Sequence, residues 1–191
     1  MKIKWIGKFD GNNLPSAHIP NNAKAMPEVT NKSTLILIPI FAFIAFLLFC
    51  KTRLYGGVML TRQNLAIGFL VGFFLFPVHE LLHAISFPSN SDVFIFFTMQ
   101  GLGTSCTTPV TKKRFLVVTL LPSILLGVIP LVLFMLIPSA YERVSAILFA
   151  ISFLQIGGSY VDIVNVFQLL QLPSKTMIQI SGSKIYWYPA E

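Results

Sequence analysis

The chain has 191 residues, of which 54% are hydrophobic and only 11% are charged, and its mean hydropathy is +0.75. This composition excludes an ordinary soluble globular domain and is typical of an integral membrane protein. The net charge of +7 does not indicate a nucleic-acid-binding protein, because the basic residues flank apolar segments and form no long basic stripe. Anionic lipid headgroups are the expected counterpart of these charges.

Residues 1–34 form a polar segment that is interrupted by prolines. We interpret this segment as a cytoplasmic extension with one short strand over residues 2–9. His18 lies in a proline-bounded loop of the segment, and we interpret it as a surface residue and not as a metal ligand.

Four apolar segments then predict a membrane domain over residues 35–172. They cover residues 35–50, 64–87, 115–137 and 144–172. Residues 173–191 form a carboxy-terminal tail that is rich in strand formers and interfacial aromatic residues, and this tail could pair with the amino-terminal strand. The prediction is one membrane domain between two cytoplasmic segments.

Residues 88–114, between the second and third apolar segments, do not have a helical pattern. The apolar run at residues 93–97 is too short to cross a membrane, and Gly101-Leu102-Gly103 is a turn signal. A β-hairpin or re-entrant loop fits both features, and a hydrophobic loop packed over the bundle fits them equally well. The predicted fold class is therefore an all-α membrane protein, a four-transmembrane-helix bundle with a short β-hairpin or re-entrant loop between helices 2 and 3.

The distribution of basic residues predicts the orientation of the four spans. An even number of spans puts both termini on one side of the membrane, together with the loop between the second and third spans. That side has ten lysines and arginines, whereas the other side has four. The positive-inside rule therefore predicts a multi-pass protein of the cell membrane with both termini in the cytoplasm.

The second apolar segment contains the pattern HELLH at residues 79–83. On a helix, His79 and His83 share one face and can bind one metal ion, while Glu80 can act on a bound water without being a ligand. Placing ionisable side chains within a membrane helix costs free energy, so three of them within five residues indicate a specific role. A metal site is one such role, and a hydrogen-bond network that fastens the bundle is the other.

A catalytic zinc site needs a third protein ligand, and Asp162 is the acidic residue that lies inside another predicted span. Counted from the outer ends of their spans, His79 and Asp162 both lie at a depth of roughly 21–23 Å. Asp162 could instead be a buried carboxyl that is bonded to Asn165 or Tyr160. With the metal site, an extended peptide substrate could add as a strand to the edge of the hairpin.

These residues predict a mechanism for peptide hydrolysis. A Zn²⁺ ion bound by His79, His83 and Asp162 would activate a water molecule, and Glu80 would act as the general base. Three amide side chains are candidates for further contacts to the site or to the substrate backbone: Gln100, Gln155 and Asn165.

The HExxH motif late in one span, with an aspartate inside a later span, resembles the site-2 protease class of intramembrane zinc metallopeptidases. The resemblance implies that His79, His83 and Asp162 are the metal ligands and that Glu80 is the base. The chain departs from that class after Asp162, where Ile163 stands in the position that is typically glycine.

Over nearly its full length, the layout is also similar to a small bacterial family of unknown function whose members are described as putative zincin peptidases. The similarity lies in Trp5-Ile6-Gly7-Lys8-Phe9, in the basic step at residues 112–115, in Leu172-Pro173 after the aspartate segment, and in the aromatic tail. This resemblance implies a zinc-dependent peptidase.

The leading hypothesis is a membrane-embedded zinc metallopeptidase that acts on membrane-associated peptide or protein substrates near the cytoplasmic face. The alternative is a non-catalytic membrane protein, such as an immunity or sequestering factor, with a structural metal site. Proton or metal transport through the His/Glu/Asp cluster is a third interpretation, for which four spans provide a thin pathway unless the protein oligomerises. The lipid bilayer is an expected partner, and nucleic acid is not.

Overall fold

The computed structural model describes residues 1–9, 13–55, 60–98, 101–138 and 140–190. The contacts within the chain divide it into two compact units. Unit 1 consists of Met1–Val29, Pro77–Leu121 and Asp162–Glu191, and unit 2 consists of Thr30–Phe76 and Pro122–Val161.

The α-helices found in these ranges are α1 Leu37–Leu54, α2 Arg62–Phe74, α3 Phe76–Ser86, α4 Lys112–Pro122, α5 Ile129–Leu136, α6 Glu142–Gly158 and α7 Tyr160–Gln171. A 3₁₀ segment, Asn31–Ile36, leads into α1, and a π-helical segment, Ser123–Val128, joins α4 to α5. The strands are β1 Lys2–Lys8, β2 Lys24–Ala25, β3 Asp92–Thr98, β4 Gly101–Cys106, β5 Val110–Thr111, β6 Thr176–Ser181 and β7 Lys184–Pro189.

Three helical segments of the described chain are long and apolar enough to cross a membrane: Lys32–Leu54, Arg62–Ser86 and Lys112–Leu136. A fourth candidate is the bent pair Glu142–Gly158 and Tyr160–Gln171. These helices coincide with the four predicted apolar segments, and their number and length are consistent with a membrane protein.

The second and fourth predicted spans are not continuous helices. The second breaks at Leu75, two residues before Pro77, because proline has no N–H to donate and its ring crowds the preceding turn. The fourth breaks at Ser159, after Gly157 and Gly158, which are weak helix formers.

The all-α fold class was wrong, because seven strands in two sheets lie within the described ranges of the chain. One sheet has the order β1-β3-β4, in which β1 is parallel to β3, and β3 and β4 form the predicted antiparallel hairpin. The predicted amino-terminal strand is β1. The other sheet has the order β2-β7-β6-β5. The carboxy-terminal tail therefore pairs with β2, not with β1 as the sequence suggested.

The core of unit 1 lies between these sheets and the helices α3, α4 and α7. Its fully buried members include Ala84 on α3, Leu169 on α7, and Val93 and Cys106 on the hairpin. Close packing of these side chains fixes one face of α3 against the hairpin. The core therefore fixes the rotation of α3 about its own axis, and with it the direction in which the HELLH motif faces.

Two cations at the start of α4 hold the ends of the helices that carry the predicted site residues. Lys112 Nζ donates to the carbonyl of Leu172, just after α7, at 2.5 Å. Arg114 Nη2 donates to the carbonyl of Phe87, just after α3, at 3.2 Å. Carbonyls at a helix C-terminus have no partner within the helix and attract cations, so both bonds stabilise these ends.

Unit 2 is helical in its described part, and α2 packs closely against α6. A Cβ atom on Gly68 would lie 2.7 Å from the Cβ of Ala150 and 2.9 Å from the Cα of Ile147. Only glycine allows this approach of the two helices. Gly157 and Gly158, at the end of α6, face the rings of Phe41 and Phe76.

Candidate metal centre

The motif at residues 79–83 lies within the continuous helix α3. His79 and His83 are therefore one turn apart on the same face, and only 4% and 8% of their surfaces are exposed. Their ring centroids are 4.8 Å apart, and the ring planes are inclined by 74°. Two imidazoles in this arrangement can direct nitrogen atoms at one point.

Asp162, in the first turn of α7, lies beside both histidines. Its Oδ2 atom is 3.2 Å from Nε2 of His79 and 3.4 Å from Nε2 of His83. The side chain is 19% exposed. The structure thus brings together the three residues that the sequence suggested as a ligand set, and all three belong to unit 1.

A hydrogen bond to Nδ1 of His83 orients the imidazole ring, so that its other nitrogen, Nε2, lies beside Asp162. Nδ1 of His83 donates to the backbone carbonyl of Val118 at 2.7 Å. In the neutral imidazole, Nε2 then carries a lone pair and no proton. That lone pair faces a carboxylate oxygen, so a proton or a metal cation must lie between them to make the contact favourable.

The spacing of the donor atoms fits a zinc ion. Ligands that bind Zn²⁺ tetrahedrally at 2.0–2.1 Å lie about 3.3–3.4 Å from each other. The two distances from Asp162 to the imidazole nitrogens agree with this value. Donor atoms of His79, Glu80 and His83 also lie within 4.8 Å of one another. Imidazole nitrogen and carboxylate oxygen are both normal zinc donors.

Glu80 is held in place by the hairpin. Oγ1 of Thr104, on β4, lies 2.8 Å from Oε2 of Glu80 and 3.1 Å from its backbone carbonyl, and the hydroxyl donates to these acceptors. This bond orients the Glu80 carboxylate, and it ties the hairpin to the helix of the motif.

The sequence did not indicate Thr104 or Val118. Thr104 stands in a run of Thr and Ser residues with no feature to distinguish it. Val118 acts through its backbone, which a residue type does not reveal. One signal was nevertheless present, because a proline at position 122 removes the normal helical partner of the carbonyl at position 118.

The remaining candidates have other surroundings. His18 is exposed, as predicted, and it is not part of the cluster. Gln155 is fully buried in unit 2, where its amide donates to the carbonyl of Gly72 at 2.7 Å. Asn165 is half-buried on α7. Gln100 lies outside the described residues.

A family model described as putative zincin peptidase matches residues 72–177, more than half of the chain. The chain belongs to this family. The match includes the motif on α3, the hairpin and Asp162, and membership of a zincin family implies zinc. It supports a metallopeptidase as the general class of this protein. No curated protein matches the chain. No solved structure matches it either.

Proposed function

We propose that the protein is a membrane-embedded zinc metallopeptidase that hydrolyses peptide bonds of membrane-associated substrates near the cytoplasmic face. The observation that carries this proposal is the position of Asp162 Oδ2, 3.2 and 3.4 Å from the Nε2 atoms of His79 and His83. Glu80 adjoins these residues on the same helix.

In this proposal the zinc ligands are His79, His83 and Asp162. Three protein ligands leave one coordination position open, which is the arrangement of catalytic zinc sites. The Val118 carbonyl supports His83 from behind, as backbone carbonyls commonly do for metal-binding histidines. Glu80 keeps its hydrogen bond to Thr104 and remains available for proton transfer.

Zinc bound there would lower the pKa of a bound water to about 7 and would polarise the substrate carbonyl. Glu80 is the general base that removes the proton from the attacking water. The same carboxyl then gives the proton to the leaving amine as the peptide bond breaks. Thr104 keeps the carboxylate oriented throughout, because its hydroxyl bonds one of the two carboxylate oxygens.

The hairpin provides a way to bind an extended substrate. In the described part of the chain, β4 is the edge strand of its sheet, with β3 on one side. A peptide can add to such an edge through backbone hydrogen bonds. Because Thr104 of β4 touches Glu80, a peptide on this edge would pass close to the general base.

The location we propose follows from the apolar helices and from the basic residues at their ends. The candidate spans support a multi-pass protein of the cell membrane. The excess of lysine and arginine on the side of both termini supports a cytoplasmic position for them and for the hairpin. Lipid is then the surrounding partner.

Bound metal is the first test. The full-length protein is purified in detergent, and its zinc content is measured for the parent and for His79→Ala, Asp162→Ala, Glu80→Gln and His18→Ala. We expect zinc in the parent, in Glu80→Gln and in the matched histidine control His18→Ala, and loss of zinc in the other two. Absence of zinc from the parent would refute the proposal.

Cleavage is the second test, and it separates the enzyme from the non-catalytic alternative. We expect Glu80→Gln to retain zinc and to lose hydrolysis of membrane-associated peptides in proteoliposomes. An immunity or sequestering factor with a structural metal would instead keep its cellular phenotype in Glu80→Gln. Retention of that phenotype, together with no hydrolysis by the parent, would favour this alternative.

A further inference from the structure

We propose that Pro122 is a positioning residue of the metal site, because it releases the backbone carbonyl that orients His83. This inference rests on the metal site proposed above. It assigns a role to a residue that lies four positions after Val118 in the sequence.

The release follows from the chemistry of proline. In a regular α-helix, the N–H of residue 122 donates to the carbonyl of residue 118. Proline has no N–H, and its ring also clashes with the carbonyl four residues earlier. Accordingly, α4 ends at Pro122, and the chain continues as the π-helical segment Ser123–Val128. Val118 therefore has a carbonyl without its regular helical donor.

That carbonyl is used by the site. Nδ1 of His83 donates to it at 2.7 Å, which is a short and favourable distance for an N–H···O bond. Val118 is only 4% exposed, so water has little access to compete for the carbonyl. The bond keeps the proton on Nδ1 and directs the Nε2 lone pair at Asp162, 3.4 Å away. A metal-binding histidine needs this tautomer.

A purely structural role for Pro122 and a positioning role predict different zinc affinities for Pro122→Ala. Alanine is a far better helix former than proline, so Pro122→Ala should stabilise α4 and leave the site unchanged if the proline only shapes the helix. If the proline positions His83, the new N–H of residue 122 competes for the Val118 carbonyl and draws it back along the helix axis. Zinc affinity then falls although the helix becomes more regular.

The experiment measures zinc affinity of the full-length protein in detergent by competition with a chromogenic chelator. We expect Pro122→Ala to bind zinc roughly tenfold more weakly than the parent, as for other changes behind a metal ligand. Pro130→Ala, in α5 of the same span, is the matched control, and we expect it to bind as the parent does. Equal affinity of Pro122→Ala and the parent would overturn the inference.

A second readout uses the metal-free protein, so that it does not depend on zinc. Nitrogen NMR of histidine-labelled samples gives the tautomer of each ring, and His18→Ala and His79→Ala variants assign the signals. We expect Nδ1 of His83 to be protonated and hydrogen-bonded to the Val118 carbonyl in the parent, and we expect its resonance to shift in Pro122→Ala because that hydrogen bond is lost. An unchanged Nδ1 resonance would contradict the role of Pro122. Absence of zinc binding by the parent would instead refute the metal site itself.

Discussion

In the described chain, buried ionisable groups in two candidate spans differ in what surrounds them. On α1 of unit 2, Lys51 is fully buried, and its ammonium donates to Ser145 Oγ at 2.8 Å and to the carbonyl of Ile137 at 3.0 Å, as well as to the carbonyl of Phe134. On α3 of unit 1, the Nε2 atoms of His79 and His83 lie 3.2 and 3.4 Å from one carboxylate oxygen of Asp162. The ammonium of Lys51 is surrounded by acceptors, whereas in unit 1 two imidazole nitrogens and a carboxylate oxygen converge on one point.

This difference fits a structural role for Lys51 and the metal-binding role that we propose for the histidine cluster. Phe134 and Ile137 lie at and just after the end of α5, where carbonyls lack helical partners, so Lys51 completes the C-terminus of that helix. The histidine cluster instead brings together imidazole nitrogens and a carboxylate oxygen, which are normal zinc donors. A charged residue in a membrane span suggests function by default, but its surroundings decide which function.

The largest expected effect is that of Glu80→Gln on catalysis. Loss of a general base typically lowers the rate by about 10²–10⁴-fold, equivalent to about 3–5 kcal/mol. The amide keeps the size of the side chain and can still bond Thr104, so zinc content should not change. The measurement is kcat for a membrane-associated peptide in proteoliposomes. Glu142→Gln, an exposed acid on α6, is the control, and a Glu80→Gln enzyme with parental kcat would exclude this base.

The next effect is on stability, and it concerns Lys51. Lys51→Met keeps the apolar stem but leaves buried carbonyls without a donor, which should cost about 2–3 kcal/mol. We expect a lower Tm in detergent and, at temperatures where the protein remains folded, unchanged zinc content. Arg53→Met is the matched control, since Arg53 is exposed on the same helix end. If Lys51→Met reduced zinc content without lowering Tm, the contrast between the two clusters would be wrong.

A smaller effect on kcat is expected when the hydrogen bond between Thr104 of the hairpin and Glu80 is removed. Thr104→Val removes the hydroxyl that donates to Glu80 and keeps the shape of the side chain, and we expect kcat to fall roughly tenfold, about 1.4 kcal/mol. Zinc content and KM should change little. Thr104→Ser retains the hydroxyl and should restore most of the rate. Equal rates for the Val and Ser variants would show that Thr104 does not position Glu80.

The helices and the HELLH motif could be predicted because their signals are local. An apolar run of sufficient length and two histidines four residues apart need no knowledge of distant residues. The hairpin was also predicted, from an apolar run too short to span a membrane and the turn at Gly101. Asp162 could be suggested from its depth along its own helix, which depends only on the rise per residue.

The sheets and the supports of the site depend on contacts that are distant in the sequence. The pairing of β1 with β3 joins residues about ninety positions apart, and a two-residue strand such as β2 has almost no pattern of its own. Thr104 reaches Glu80 only because the core fixes α3 against the hairpin. The break at Ser159 was missed because a hydropathy pattern does not change where a helix is interrupted.

The smallest expected effect concerns the pairing of β1 with β3, outside the candidate spans. The Lys4 ammonium, hydrogen-bonded to Asp92 at 2.6 Å, lowers the pKa of that carboxyl below its usual range. A lowered pKa contributes stability above the ordinary aspartate value of about 3.9, and this contribution is lost as the pH falls through the lowered pKa. Because both groups are exposed, the contribution is small and is screened by salt. We expect the Tm of Asp92→Asn to lie slightly below that of the parent near neutral pH and low salt, and to match it in acid or at high salt. A difference that persisted under all these conditions would mean that Asp92 stabilises the strand through its shape or hydrogen bonding, and not through its charge.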